Sequence, residues 1–248
     1  MSKVIRSVPA CIGEFRGKFA ADEARRLIGR VCLVSVAGAR MARVIDLADG
    51  HPYVGDMVAV VDETSPDMGA GLHYAVSTAV LLDPQQVRVA VDQLFADVPD
   101  RRRRFHWSQE GLAAKTRIVE VMETTGVVAH CRYQSVGRRG TKSARRALVP
   151  AIADAAYGEG ATHLIIEAGD RHTNLRDRDA LLDHYRGRGG VPFHYDWRTK
   201  AEPLLWLADA ISGAVKDHLT EDDPSWLARL IEAGVAQHPV YLAEPKKA

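Results

Sequence analysis

The sequence predicts an α/β domain: a mixed β-sheet with helices on both faces, behind an N-terminal extension. Three observations predict it. Residues 57–62 and 162–168 are short apolar runs of the kind that form strands buried on both faces. A second apolar run, 72–82, follows the first across a turn holding Pro66, Asp67, Gly69 and Gly71, which reads as a hairpin. After that hairpin, helical and strand patterns alternate to the end of the chain.

Residues 1–55 form the extension. A helix and a strand are expected within 21–36 and a short strand at 44–47, with no chemical motif; Met41 and Met57 stand as alternative starts. The main domain is expected over 56–222, with a last helix and tail over 223–248. Asp83-Pro84 opens a helix running to about 96, with Asp83 as cap and Pro84 at the first helical position. A short strand is expected at 105–107. Ser108 then reads as the N-cap of a helix to about 124, with Glu110 in its first turn. A strand at 127–133 precedes a basic loop, V-G-R-R-G-T-K-S-A-R-R-A. Helices follow at 148–157 and 177–186, with the 162–168 strand between them. Gly187, Gly189 and Gly190 break the chain before a short strand at 191–195, and helices at 203–219 and 224–236 close it.

Composition bounds the classes open to the chain. With 248 residues, 46% of them hydrophobic and 26% charged, a sizeable core is available. No run of 18 apolar residues occurs, so no membrane span is expected, and the N-terminus lacks the apolar core of a signal peptide. The expected compartment is the cytoplasm. Cys11, Cys32 and Cys131 are too few and too scattered for a disulfide framework or a structural zinc site. Without G-x-G-x-x-G, a P-loop or G-x-S-x-G, nucleotide-cofactor binding and serine-hydrolase chemistry have no support.

Charge is uneven. Net charge is +1, yet residues 101–148 hold twelve Lys/Arg against Glu110, Glu120 and Glu123, which is +9 and leaves −8 elsewhere. Two readings stand: a polyanionic partner, or a solvated face paired with acids elsewhere. For the first, Arg138, Arg139, Lys142, Arg145 and Arg146, with Arg101 to Arg104, are the phosphate-contact candidates.

Three acids stand out by position. Asp62 ends one apolar strand, Glu167 ends another, and Asp209 interrupts the apolar helix P-L-L-W-L-A-D-A-I-S-G-A-V-K-D-H-L. A carboxylate leaving a buried strand must be solvated, paired or metal-bound. Ligands of open α/β sheets sit at the carboxyl ends of strands, so parallel neighbouring strands bring Asp62 and Glu167 together. Ser212 and Gly213 lie one turn beyond Asp209, and these small residues predict close packing on a strand end or a substrate backbone. Such a carboxylate set suits Mg²⁺ or Mn²⁺, and two ions about 3.5–4 Å apart support phosphoryl transfer. Glu110 is the candidate fourth acid, with Glu63 and Asp170 competing for the place. For each acid alone, a local cap or pair is the alternative, such as Asp209 with Lys216 or Arg198, or Glu110 as an ordinary helix-start acid.

V-V-D-E-T-S before the hairpin, and L-L-W-L-A-D-A-I-S-G-A-V later, resemble the family called domain of unknown function 3800. Its members open with a strand ending Asp-Glu-Ser and close with a helix reading roughly L-Q-L-A-D-x-x-A-G-A. The resemblance covers about 58–219 and implies a ribonuclease-H-like fold. It matches Asp62 to the first-strand Asp, Asp209 to the helix Asp, Glu167 to a fourth-strand acid and Glu110 to a helix Glu. This chain departs from the pattern at Thr64, where Ser is usual, at Glu167, where Asp is commoner, and in D-W-R-T-K-A-E, where the family has Asp-Ser-Lys.

The expected function is a metal-dependent nuclease or related phosphoryl-transfer enzyme acting on nucleic acid. Asp62, Glu167 and Asp209 are its metal ligands, Glu110 a fourth catalytic acid and water the nucleophile. The alternative is a non-catalytic nucleic-acid- or protein-binding module of the same fold. Oligomeric state has no signal in the sequence.

Overall fold

Six strands form one mixed sheet in the order β5-β4-β1-β2-β3-β6. The computed structural model describes residues 57–65, 72–94, 96, 105–137 and 140–243. The expected extension at 1–55 therefore lies outside the described residues, as do Arg101 to Arg104, Arg138 and Arg139. All described residues belong to one unit, Gly55–Ala248.

β1 (Val58–Thr64) and β2 (Leu72–Leu81) are the antiparallel pair expected from the two apolar runs, in a register that sets Asp62 opposite Ser77. β3 (Val128–Val136) continues the antiparallel run beside β2. On the other side of β1, β4 (His163–Glu167) runs parallel to it, and β5 (His194–Arg198) runs parallel to β4. β6 (Val240–Tyr241) adds a short parallel edge to β3.

The pleat sorts β1 between two cores. Val60 belongs to the core that includes α1 (Pro84–Leu94), α2 (Leu112–Thr125), α5 (Leu205–Leu219) and α6 (Ser225–Glu232). Ala59 and Val61 belong to the opposite core, under α3 (Thr141–Gly158) and α4 (Arg171–Tyr185). The sheet is thus covered on both faces, which is why its central strands are apolar without alternation. By the same pleat Asp62 emerges on the α5 side and Glu63 on the α3 side.

Several elements differ from the sequence expectation. α3 begins at Thr141, so Thr141 to Arg146 are its first turns and not loop. Pro150 lies inside this helix, which begins seven residues before the expected start at 148. Residues 105–106 form no strand; a single 3₁₀ turn, Trp107–Gln109, takes up Ser108, and α2 starts after it with Gly111 as N-cap. Glu110 thus precedes the helix. β5 starts three residues later than the expected strand, at His194. Asp83 does cap α1, its Oδ1 accepting from Gln86 N at 2.9 Å. Among the described residues no helix is long and apolar enough to cross a membrane. Cys131 is a buried free thiol, and burial pushes its pKa up to about 12.

Candidate functional site

The parallel register of β1 and β4 pairs Val61 with Ile166, so Asp62 and Glu167 are the next residue on each strand. Both project on the α5 side, where Ile165 also joins the core. α5 lies across β1 and β2 and brings Asp209 to the same end. β5 ends at this edge too, and the turn after it carries Lys200 into the middle of the acids. The Trp206 indole holds that turn, Nε1 donating to the Lys200 carbonyl at 2.9 Å.

Lys200 Nζ lies 3.5 Å from Asp62 Oδ2 and 3.6 Å from Glu167 Oε2, and donates a short hydrogen bond to Asp209 Oδ1. Three of the four acids named from sequence therefore meet around one ammonium. Among the described residues no three His, Cys, Asp or Glu side chains stand in a ready-made ligating arrangement, and Lys200 is the group lying between these acids. Glu110 is buried at the end of the 3₁₀ turn, on the segment that crosses α5 at Asp209. Its placement there, and not in a helical first turn, is the correction to its expected position.

Asp62 is 3% exposed. Its Oδ1 accepts from Glu63 N at 2.7 Å, while Oδ2 accepts no hydrogen bond from an N–H or O–H group of the protein. Burial, and then the neighbouring Glu167, push the Asp62 pKa well above the usual carboxylate range; Lys200 pulls the other way and does not prevail. For Lys200, burial favours the neutral amine, but the charges of Asp62, Asp209 and Glu167 outweigh it and raise the pKa. The lysine is a held cation.

Asp209 is anchored differently. Trp107 N donates to its Oδ2 at 2.7 Å, and the indole Nε1 donates to Asp217 Oδ2 at 2.7 Å, two turns further along α5. A Cβ built on Gly213 meets the Trp107 ring at 2.1 Å. The small residue beside Asp209 therefore makes room for Trp107, not for a substrate backbone. Trp226 meets the indole edge-on at 5.4 Å and Lys115 sits 4.5 Å over it. One Asp209 oxygen is thus committed to backbone and the other faces Lys200. Trp107 and Lys200 went unnamed in the sequence reading; the departure at D-W-R-T-K-A-E was the signal for Lys200.

The basic candidates lie on the other sheet face. Arg145 is 7% exposed and makes two hydrogen bonds to Asp177, at 2.9 and 2.8 Å, and an ion pair to Glu63. It is a buried structural cation. Arg146 reaches solvent and pairs with Asp183 at 3.0 Å. Lys142 and Arg146 both line two neighbouring clefts between α3 and α4, of about 340 and 350 Å³. Lys115 pairs with Asp217. Three cations of the basic stretch thus meet acids from outside it.

Comparison of the chain with protein-family models finds no match, and comparison with curated proteins finds none.

Proposed function

We propose that the protein is a ribonuclease-H-like, metal-dependent phosphoryl-transfer enzyme acting on nucleic acid, related to the family called domain of unknown function 3800. The observation that carries this reading is the convergence of Asp62, Glu167 and Asp209 at the carboxyl ends of two parallel strands and a facing helix. The antiparallel β1-β2-β3 run, with β4 and β5 parallel to β1 and helices on both faces, supports the fold assignment.

The donor set fits Mg²⁺ or Mn²⁺. Three hard carboxylate oxygens face the point that Lys200 Nζ takes up, and Asp62 Oδ2 is buried and accepts no hydrogen bond, its cation neighbour being Lys200 at 3.5 Å. Asp62, Glu167 and Asp209 would hold the ion, which would supply Lewis-acid polarisation of a phosphodiester oxygen. Trp107 fixes Asp209 so that one oxygen faces the centre. Glu167, whose side chain is 27% exposed, is the acid nearest solvent and the one placed to orient an incoming group. Lys142 and Arg146 offer positive charge for a phosphate backbone at the strand edge, on the α3 side.

One observation favours the alternative, a non-catalytic binding module of the same fold: Lys200 already neutralises part of the acid cluster. The two readings part in a cleavage assay. Labelled DNA, RNA and hybrid duplexes incubated with Mn²⁺ are cut by wild type and spared by Asp62→Asn and Asp209→Asn if the enzyme reading holds. Salt-sensitive binding without cleavage on every substrate selects the module.

A further inference from the structure

We propose that the Lys200 ammonium is a built-in competitor for the cation position, and that a divalent ion enters the acid cluster only by displacing it. This rests on the reading that Asp62, Glu167 and Asp209 are metal ligands, and it adds the control on their occupancy.

Geometry carries the argument. Nζ contacts one oxygen of each of the three acids and lies between them. The lysine side chain is 10% exposed, so the ammonium is not a solvated surface charge passing by. Its backbone is held in place by the Trp206 indole, so the tether stays while the side chain moves. An ion coordinated by those oxygens at about 2.0–2.1 Å, the distance Mg²⁺ demands, shares its space with Nζ. The two cations exclude each other by size and by charge.

The acids around Lys200 account for the arrangement. A lone lysine this close to three carboxylates leaves the cluster negative overall, and burial makes that costly. A divalent ion cancels more of the charge than one ammonium does. Exchange is therefore favourable at sufficient metal, and Lys200 sets how much is needed. Without metal the same lysine holds Asp62, Glu167 and Asp209 together, so the site stays assembled while empty of ions. The flexible four-carbon stem of lysine suits such a removable cation better than the planar fork of arginine.

The test is calorimetric titration of the full chain with Mn²⁺, comparing wild type with Lys200→Met and Lys200→Gln. Tryptophan fluorescence, to which Trp206 at the Lys200 turn and Trp107 at Asp209 contribute along with Trp197 and Trp226, serves as a second readout of the site, and circular dichroism checks folding. Lys200→Gln keeps an N–H donor for Asp209 without the charge, so it remains informative if Lys200→Met misfolds. The expected result is Mn²⁺ binding at least tenfold tighter in both variants than in wild type. Equal or weaker binding by the folded variants, with wild type binding Mn²⁺, overturns the competitor role and leaves the metal-ligand reading standing. No binding by any of the three overturns both. Binding by the variants but not by wild type upholds the lysine's role and removes the metal-dependent reading of the native protein.

Discussion

Asp62 concentrates the energetics of the site in one residue. Its folded pKa is raised above the ordinary value of 3.8, first by burial and then by Glu167. The stability linked to a raised acid is fully present below the unfolded pKa and is lost as pH rises through the folded one. Metal-free protein should therefore lose stability as pH climbs above about 3.8 towards that raised value. Asp62→Asn should lack this slope and be the more stable form above it, in urea unfolding across the pH range without metal. Gly213 is a second single-residue test. Alanine would gain about 1 kcal/mol of helix propensity, but its Cβ would sit 2.1 Å from the Trp107 ring. Overpacking of that kind costs about 1–3 kcal/mol. Gly213→Ala should lower the unfolding midpoint and weaken Mn²⁺ binding, because the Trp107 N bond to Asp209 is displaced with the ring.

Among the ion pairs that join helices, magnitudes separate two. Arg145 and Asp177 lock α3 to α4 with both charges buried. Removing Arg145 strands the Asp177 carboxylate, at a cost of about 3–5 kcal/mol, whereas Arg145 keeps Glu63 when Asp177 is removed. Arg229 and Glu123 join α6 to α2 with equally good geometry, at 2.7 and 2.8 Å, but both reach solvent. A pair of that kind contributes about 0–1 kcal/mol. Arg145→Ala should thus be severely destabilised in chemical unfolding and Glu123→Ala nearly unchanged. Element boundaries show why the basic stretch misled. Gly137, Gly140 and the clustered arginines read as loop, which hid the first turns of α3. The burial of Arg145 depends on Asp177, thirty-two residues away, and no local pattern carries that.

At the scale of the molecule, the sheet decides which sequence signals converge. Asp62 and Glu167 were legible because each ends an apolar run, where a charge needs a reason. Their meeting followed from parallel pairing, which the alternation of elements suggested. Asp209 was legible as an acid in an apolar helix. Lys200 was not, because a lysine in a polar turn is ordinary; only the common carboxyl edge of β1, β4 and β5 makes it central. Trp107 was hidden likewise, since its role is set by a helix more than a hundred residues away. Glu110 was named from its expected place in a helical first turn, and the 3₁₀ turn moves it off that helix. The central claim concerns the acids as a set, so calorimetry of Mn²⁺ binding to wild type, Asp62→Asn and Asp209→Asn tests it most directly. The account predicts saturable binding by wild type and its loss, by at least tenfold in affinity, in each variant. Binding that survives both substitutions unchanged would contradict it.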